Sequence, residues 1–377
     1  MNNWTKRNLG SVCSQVLTGG TPSTKVAEYY IGGQIPWLKT KEVNFCRIEN
    51  TENYITQSGL ANSSAKLVPP NSVIVAMYGQ GDTAGRVAIN KIPLTTNQAC
   101  CNLVIDSEIA DYQFIYFYLK NSYAELVQRK TGSAQPNLNT KLIKDFEIFL
   151  PSLDEQKAIT AVLASLDDKI DLLHRQNKTL ESLAQTLFRH WFIDGAEDDW
   201  EDGALGDFIN IAYGKNIPTK LLLPEGYPVF GGNGQIGFYK KYLYEEPQVL
   251  IACRGAASGA VHISLPKSFV TNNSLVLEIP KDSRITFEYL KYFALNADFD
   301  PYVSGSAQPQ ITINDLSFAE FMLPPKEQIA EFSTMVQKLE SKRTLNFRQI
   351  QTLQKLRDTL LPKLMSGEVR VRLRQQN

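Results

Sequence analysis

The 377-residue sequence lacks most of the features that point directly to a function. It has no basic surplus, because 39 Lys and Arg are matched by 39 Asp and Glu. This balance argues against a stand-alone protein that binds nucleic acid non-specifically. There are only three His and five Cys, with no CxxC pair and no ligand-like spacing between the two residue types, so no metal site is predicted.

Long apolar runs are also missing. The run Val73–Met77 is among the longest in the chain and is far shorter than the roughly 20 residues that span a bilayer. No signal peptide is recognisable, and an odd number of scattered Cys indicates a reducing compartment. We therefore expect a cytoplasmic protein without a membrane segment.

The remaining composition is that of a folded protein. Hydrophobic residues make up 43% and charged residues 21% of the chain, which excludes a disordered or collagen-like protein. The length is about 2.5 times that of a typical domain of roughly 150 residues. At least two domains are therefore predicted.

The sequence also contains an internal repeat. The pentapeptide Gly-Ser-Ala-Gln-Pro occurs at 132–136 and at 305–309, and a Leu-Pro pair follows at 150–151 and at 323–324. Each match recurs 173 residues later, as 132 to 305 and 150 to 323 show. Matches at one common offset indicate duplication. The chain is therefore predicted to have a pseudo-two-fold repeat.

A helix signal follows each Leu-Pro pair. Ser152 and Glu155 have the spacing of a capping box, and Pro325 suits a first helical turn. Heptad spacing then predicts two long helices that form an antiparallel coiled coil. The predicted interface residues are Leu166, Ile170, Leu173, Asn177, Leu180, Leu187 and Trp191 in the first helix and Leu339, Asn346, Ile350, Leu353 and Leu360 in the second.

The predicted fold class is α/β (α+β), with two globular domains that alternate with the two helices. Short β-type runs and one helical stretch recur in both globular parts. The predicted segments are a first domain at 1–151, a first helix at 152–194, a second domain at 195–324, a second helix at 325–366 and a basic tail at 367–377.

Two motifs that suggest catalysis are incomplete. The stretch 230–234 has the F-x-G-x-G form of a methyltransferase loop for S-adenosylmethionine, but no N-P-P-Y or D-P-P-Y partner is present. The stretch 79–81 is Gly-rich but lacks the Lys and Ser or Thr of a phosphate loop. Both are interpreted as turns between strands. No catalytic, cofactor-binding or metal-binding residue is predicted in this chain.

Polar loop residues are better candidates for function. Arg and Lys suit guanine edges or phosphates, and Asn and Gln suit adenine edges, so loops that carry them are able to read a major groove. The predicted DNA-binding residues are Lys39, Lys41, Gln80, Thr83 and Arg86 in the first domain and Lys215, Asn233, Gln235, Lys240 and Arg254 in the second.

These features together resemble a known family. The motifs Gly-Gly-Thr-Pro at 19–22, Ile-Pro-Trp at 35–37 and Gly-Arg-Val-Ala-Ile at 85–89 precede the pentapeptide, Leu-Pro and Glu-Gln. In this order they resemble the DNA-specificity subunit of type I restriction-modification systems, over nearly the whole chain. The second copy keeps only part of the Gly-Gly-Thr-Pro form, at 215–220.

The resemblance implies a non-catalytic role. Each globular part would be a target recognition domain that reads one half of a split site in double-stranded DNA. The helices would space the halves and dock two methyltransferase subunits, which bind S-adenosylmethionine, and restriction subunits can join such a complex. A methyltransferase that itself uses S-adenosylmethionine and a non-catalytic coiled-coil scaffold remain as alternatives.

Overall fold

The computed structural model describes residues 4–131, 137–305 and 307–371. The first copy of the pentapeptide, Ser306 of the second copy and residues 372–377 of the predicted tail lie outside the described residues. The chain divides into two compact units. The first unit comprises residues 1–172 and 350–377, and the second comprises residues 173–349.

The described part of the first unit contains short strands and short helices in addition to segments of two long helices. Its strands are β1 Thr5–Asn8, β2 Cys13–Thr18, β3 Ile35–Leu38, β4 Cys46–Ile48, β5 Tyr54–Ile55, β6 Val73–Ala76, β7 Val87–Asn90, β8 Thr95–Thr96, β9 Cys100–Ile105 and β10 Glu147–Leu150. Its short helices are α1 Gln57–Ala61, α2 Tyr112–Asn121, α3 Tyr123–Gln128 and α4 Thr140–Lys144.

A five-stranded mixed sheet, in the order β2-β9-β6-β7-β4, forms the centre of the first unit. Successive residues of a strand point to opposite faces. Val73 and Val75 accordingly join the cluster around Phe114 of α2, whereas Ile74 joins the cluster around Leu38. Burial on both faces explains why β6 has a continuous apolar run instead of an alternating pattern.

The described part of the second unit has a similar set of elements. Its strands are β11 Glu201–Ala204, β12 Asn210–Tyr213, β13 Tyr227–Gly231, β14 Gly234–Tyr239, β15 Val249–Ala252, β16 Val261–Ile263, β17 Phe269–Val270, β18 Ser274–Glu278 and β19 Glu320–Leu323. Its short helices are α6 Leu205–Phe208, α7 Phe287–Asn296 and α8 Ile313–Ser317.

The sheets of the second unit have the same strand order and pairing as those of the first, with one strand fewer. A four-stranded sheet has the order β12-β18-β15-β16, and a three-stranded sheet has the order β14-β13-β17. In the first unit β3 pairs with β5 and β8 in the same antiparallel and parallel senses as β13 pairs with β14 and β17. The extra strand of the first unit is β4, at the edge of its larger sheet. The predicted repeat of α/β domains is therefore confirmed.

Two helices of 40 residues each, α5 (Leu153–Phe192) and α9 (Lys326–Met365), complete the fold. At 1.5 Å per residue each is about 60 Å long. The hydroxyl of Ser152 accepts the backbone N–H of Glu155 at 3.3 Å and so caps the start of α5. Each helix contributes residues to both units, because the division of the chain falls after Leu172 and after Gln349.

Within each unit the segments of α5 and α9 run antiparallel. In the first unit Leu163, from the first third of α5, belongs to the same core cluster as Leu361 and Leu364, from the end of α9. In the second unit Asn177 contacts Asn346, and Glu181, one turn later in α5, contacts Arg343, one turn earlier in α9. The predicted antiparallel pairing is therefore observed in both.

A largely buried acid connects three helices in each unit. In the first unit Asp167 of α5 lies 2.8 Å from Arg357 of α9 and 3.8 Å from Lys120 of α2. Burial lowers the pKa of Lys120, and the charge of Asp167 opposes this effect. The acid thus ties the globular part of the unit to both long helices.

In the second unit Glu340 of α9 has the corresponding place. It accepts hydrogen bonds from Lys291 at 2.6 Å and Tyr292 at 2.7 Å, both on α7, and lies 3.0 Å from Arg343. Arg343 in turn lies 3.0 Å from Glu181 of α5. Burial by itself would raise the pKa of Glu340, but the bonds from Lys291 and Tyr292 and the nearby positive charges outweigh it and lower that pKa.

Replacing Glu340 by Gln (E340Q) is expected to destabilise the second unit by about 2–3 kcal/mol, because Lys291 and Arg343 would lose a largely buried counter-charge. The folded-state pKa lies below the unfolded value of about 4.3, so the ionised acid stabilises the fold above that value. This stabilisation is lost as pH falls through the folded pKa. Urea unfolding at pH 7 and below pH 4 measures both effects.

The control is E331Q, which removes an exposed acid from the same helix. It should leave the urea midpoint nearly unchanged at both pH values. Equal effects of the two substitutions would show that Glu340 has no special part in holding the helices together.

Candidate nucleic-acid and partner interfaces

The two glycines that follow β2 allow a very close approach between backbone segments. A Cβ atom on Gly19 would overlap the carbonyl oxygen of Asn97, and one on Gly20 would overlap the backbone nitrogen of Ala65. The carbonyl of Gly20 accepts the indole N–H of Trp37 at 3.0 Å. The Gly-Gly-Thr-Pro motif and the Ile-Pro-Trp motif therefore meet, and side chains at positions 19 and 20 would push the segments apart.

In the second unit a single glycine, Gly214, allows a similarly close approach between two backbone segments. A Cβ atom on Gly214 would overlap the carbonyl oxygen of Thr271. The next residue, Lys215, donates its backbone N–H to the carbonyl of Val270 at 2.9 Å. The close approach thus persists in the second unit, although the Gly-Gly-Thr-Pro form is only partly kept there.

The candidate DNA-binding residues of the first unit lie on two adjoining segments. Lys39 directly precedes the 3-10 turn after β3 that contains Lys41. The connection between β6 and β7 carries Gln80, Thr83 and Arg86. The connection is joined to the chain just after the turn by Arg86, whose guanidinium donates to the side chain of Asn44 at 3.0 Å. The structure therefore brings these five residues to one region of the unit.

Several of these side chains are already engaged. Arg86 also pairs with Asp82 at 2.6 Å, and the hydroxyl of Thr83 donates to the carbonyl of Gln80 at 2.7 Å. The ammonium of Lys39 donates to Asn53 at 3.0 Å and lies 5.0 Å from the ring centre of Trp37. These bonds hold the loops in place, and the side chain of Gln80 is exposed.

Lys41 is exposed but pairs with Glu52. The hydrogen bond and the charge of Glu52 raise the pKa of Lys41, so the ammonium stays charged at neutral pH. Because the pair is solvent-exposed, breaking it costs little free energy. Lys41 is thus able to exchange Glu52 for another anion.

In the second unit two candidates lie beside the end of β17 and the segment that follows it, and a third lies in the neighbouring β13–β14 hairpin. Lys215 bonds to Val270, as described above, and Arg254 follows Cys253, whose backbone N–H donates to the carbonyl of Asn273 at 3.0 Å. Asn233 lies in the turn of the β13–β14 hairpin, next to the paired residues Gly231 and Gly234. All three candidate side chains are exposed.

The other two candidates of the second unit lie on either end of one strand. Gln235 is exposed near the turn of the hairpin, whereas Lys240 follows the last residue of β14, Tyr239. A strand of six residues is about 17–20 Å long. The structure therefore separates Lys240 from Asn233 and Gln235.

The two Gly-rich motifs lie in connections between strands. The stretch 230–234 is the end of the β13–β14 hairpin, and the stretch 79–81 lies in the connection between the antiparallel strands β6 and β7. The ring of His262 on β16 lies with Nε2 3.0 Å from the carbonyl oxygen of Gly232 and so braces the hairpin turn. Neither motif lies between a strand and a helix.

The predicted interface residues of the long helices differ in burial. Ile170, Leu173, Asn177, Asn346 and Ile350 are buried. The half-buried ones are Leu166, Leu180, Leu187, Trp191, Leu339, Leu353 and Leu360.

At the end of α5 the fully buried residues are Phe188 and Phe192, one position after the predicted Leu187 and Trp191. The ring centre of Phe192 lies 5.0 Å from those of Tyr289 on α7 and Phe332 on α9. The buried face shifts because this end of the helix packs against two neighbours, and heptad spacing describes contact with only one.

No group of His, Cys, Asp or Glu able to hold a metal ion occurs within residues 4–131, 137–305 and 307–371. In the same ranges no helix combines the length and the hydropathy needed to cross a bilayer. Burial raises the pKa of Cys13 and Cys101 to about 12, so these thiols stay protonated at neutral pH.

Comparison with known proteins gives a consistent result. Residues 1–182 and 197–355 match the family described as "Type I restriction modification DNA specificity domain". The chain belongs to this family. The two matched ranges correspond to two copies of the specificity domain, each of which extends into a long helix.

One relative matches nearly the whole chain, and another matches about half of it. The chain is 29% identical to the type I restriction enzyme MjaIX specificity subunit of Methanocaldococcus jannaschii, over 98% of this chain and 94% of that protein. It is 32% identical to the EcoR124I/EcoR124II specificity subunit of Escherichia coli, over 45% of this chain and 41% of that protein. The crystal structure of the S subunit of a type I system from M. genitalium has the same fold, with a TM-score of 0.62, 20% identity and 97% coverage of both chains.

The specificity domains contain residues that hold the fold around the candidate sites and that the sequence patterns did not indicate. Among them are Asp167 and Glu340, which join globular parts to helices, and His262, which braces a hairpin turn. The repeat offset provides a signal for the two acids, because they lie 173 residues apart in the duplicated helix. No comparable sequence signal marks His262, because strand β16 and the β13–β14 hairpin come together only in the folded chain.

A buried pair of amides lies in the helical interface of the second unit. Asn346 donates from Nδ2 to Oδ1 of Asn177 at 2.9 Å. The remaining amide atoms, Nδ2 of Asn177 and Oδ1 of Asn346, have no hydrogen-bond partner among the described residues. Buried polar pairs of this kind cost stability and restrict helices to one alignment.

Replacing Asn177 alone by Leu (N177L) is expected to lower the free energy of unfolding by about 1–3 kcal/mol, because the buried amide of Asn346 would lose its 2.9 Å hydrogen bond and keep only the 3.5 Å contact to Gln176. The double variant N177L/N346L should be more stable than the single variant, since two apolar side chains would then pack together. Urea unfolding compares them, with Q337L as an exposed polar-to-Leu control on α9. A double variant less stable than N177L would contradict the role of the amide pair.

Proposed function

We propose that this chain is the non-catalytic specificity subunit of a type I restriction-modification complex. Each specificity domain reads one half of a bipartite double-stranded DNA site. The long helices space the two halves and dock two methyltransferase subunits, which bring S-adenosylmethionine. Restriction subunits join this assembly.

The observation that carries the proposal is the match of two specificity domains to one chain, each with exposed donor side chains in equivalent places. The connection between β6 and β7 carries Gln80, and the equivalent connection between β15 and β16 carries Arg254. Exposed amide and guanidinium groups suit the edges of adenine and guanine. Two domains with different residues in equivalent loops fit two different half-sites.

Binding rather than catalysis also fits the chemistry of the described residues. The motif at 230–234 that suggested S-adenosylmethionine binding is the end of a β-hairpin. Nucleotide and S-adenosylmethionine sites in α/β folds instead use Gly-rich turns between a strand and a helix. We infer that a partner subunit binds the methyl donor.

The direct test is methylome sequencing of cells that express this chain together with its methyltransferase subunit. The expected result is methylated adenine in a motif of two short sequences separated by an unread spacer. Cells that express the methyltransferase alone should lack this motif. Methylation without this chain, or a motif without two parts, would contradict the proposed function.

Replacing Arg254 by Ala (R254A) is expected to relax the preference at one base pair of one half-site by about tenfold, because a bidentate base contact contributes about 1–3 kcal/mol. The preference in the other half-site should not change. The control K281A removes an exposed positive charge beyond the far end of β18. Equal losses at both half-sites, or equal effects of both substitutions, would exclude Arg254 as a base-reading residue.

Shortening both long helices by one heptad tests their role as a spacer. Removing seven residues from α5 and the facing seven from α9 should shorten the unread spacer in the methylated motif and leave both half-site sequences the same. Removing seven residues from α5 alone should disturb the pairing and lower stability without giving a defined shorter spacer. An unchanged spacer in the double deletion would exclude the helices as the element that sets it.

A further inference from the structure

The repeated pentapeptide Gly-Ser-Ala-Gln-Pro has no role in the proposed function so far. Domains that read different half-sites are expected to differ where they contact bases, and the connections at 77–86 and 253–260 do differ. The pentapeptide is identical in both domains. An identical segment points to a contact that both half-sites share.

In the second unit the described members of the pentapeptide form a tight turn. The flanking residues Ser304 and Gln310 exchange two backbone hydrogen bonds, of 2.7 and 2.8 Å. Gly305 has φ +86°, and a Cβ atom there would lie 2.7 Å from the carbonyl oxygen of Gln308. Glycine is therefore required at the start of the turn, both by its backbone conformation and by lack of space.

This turn is anchored on the connection between β15 and β16. The carbonyl oxygen of Pro309 accepts the backbone N–H of Gly255 at 2.9 Å, and the hydroxyl of Ser258 lies 2.9 Å from the same oxygen. Arg254 pairs with Gln310 in an isolated bridge. The turn therefore lies beside Arg254, the candidate base-reading residue.

The residues that flank the first copy of the pentapeptide make matching backbone hydrogen bonds in the first unit. Thr131 and Asn137, 173 positions before Ser304 and Gln310, exchange two backbone hydrogen bonds of 3.0 Å. The next residue, Leu138, donates to the carbonyl of Met77 at 2.9 Å, as Ile311 donates to that of Cys253 at 3.2 Å. Met77 and Cys253 directly follow β6 and β15. Both copies are thus flanked by the same contacts to equivalent connections.

We propose that residues 307–309 of this turn bind a phosphate of the DNA backbone, next to the bases that Arg254 reads. The side-chain amide of Gln308 donates to this phosphate. This inference rests on the proposed function, because it assumes that the second domain binds DNA. It assigns the repeated pentapeptide to the part of the contact that does not depend on base sequence.

The chemistry of the turn favours a phosphate. Gln308 and Ala307 are exposed, and within the described residues no hydrogen bond engages the side chain of Gln308. The pentapeptide contains donors but no acid, and phosphate oxygens accept hydrogen bonds from Gln, Ser and backbone N–H groups. Because every half-site has the same backbone, one segment serves two domains with different specificities.

The test uses the complex of this chain with its methyltransferase subunit. The probes are duplexes that contain the methylated site found by methylome sequencing, and duplexes with one base pair changed in either half. Replacing Gln308 by Ala (Q308A) should weaken binding about tenfold on every duplex, as expected for the loss of one hydrogen bond to a charged group. The ratio between correct and changed duplexes should stay within about twofold of the wild-type ratio.

Two further readouts separate a neutral phosphate donor from other roles. Because Gln carries no charge, Q308A should leave the slope of log affinity against log salt unchanged, whereas loss of a Lys contact would reduce it by about one. The variant Q135A should have the same effect as Q308A. The control N314A removes an exposed amide from α8 of the same unit and should change neither affinity nor selectivity.

Three outcomes of the Q308A experiment would overturn the inference. A changed preference in one half-site would make Gln308 a base-reading residue, and weaker assembly with normal DNA affinity would make it a contact to the methyltransferase. Unchanged DNA affinity would exclude any DNA contact. A wild-type complex without any sequence preference would instead contradict the proposed function. Failure of the proposed function is therefore distinguished from failure of the phosphate contact alone.

A second variant covers the case in which Q308A alters the fold. S258A removes a hydroxyl beside Pro309 and leaves the turn sequence intact. It should weaken binding in the same sequence-independent way, though less strongly. Wild-type affinity in S258A, together with a lowered melting temperature in Q308A, would count against the proposal.

Discussion

One largely buried acid in each unit makes the contacts on which the rest of the arrangement depends. Asp167 and Glu340 each join a helix of a globular part to the long helices, through lysine and arginine partners that are themselves largely buried. Charges in such places are tolerated only when they are paired, because unpaired ones lose their hydration without compensation. The globular part of each unit is thereby held to its helical segments by a contact that also restricts their alignment.

The close approach after β2 and β12 has a similar consequence for the loops that carry the candidate DNA-binding residues. Glycine at positions 19 and 214 lets a strand end pass directly against the segments that contain Thr96 and Thr271. The connections that carry the candidate DNA-binding residues start from the same region of each unit. Backbone geometry is therefore shared between the units, while the side chains presented by the loops differ. A pair of domains with one framework and two sets of loop residues suits a protein that reads two unlike half-sites.

Several features of this fold follow directly from sequence patterns. Heptad spacing indicates α5 and α9, because one apolar residue every three or four positions produces a helix with a single buried face. The offset of 173 residues indicates the duplication and with it the equivalence of the two units. The interface is less predictable at the helix ends, where Phe188 and Phe192 are buried between two neighbours instead of one. The ten candidate DNA-binding residues follow only from residue type, and the structure separates Lys240 from the group around Asn233.

By itself the sequence determined the repeat, the two long helices and the resemblance to specificity subunits, since each of these depends on local order and spacing along the chain. Only the tertiary structure decided which loops adjoin, which acids are largely buried and where the described residues of the second pentapeptide lie. Those properties depend on contacts between residues far apart in the chain, such as Lys120 with Asp167 and Gly255 with Pro309. Composition gives no sign of such pairs, because the same residues are common on solvated surfaces.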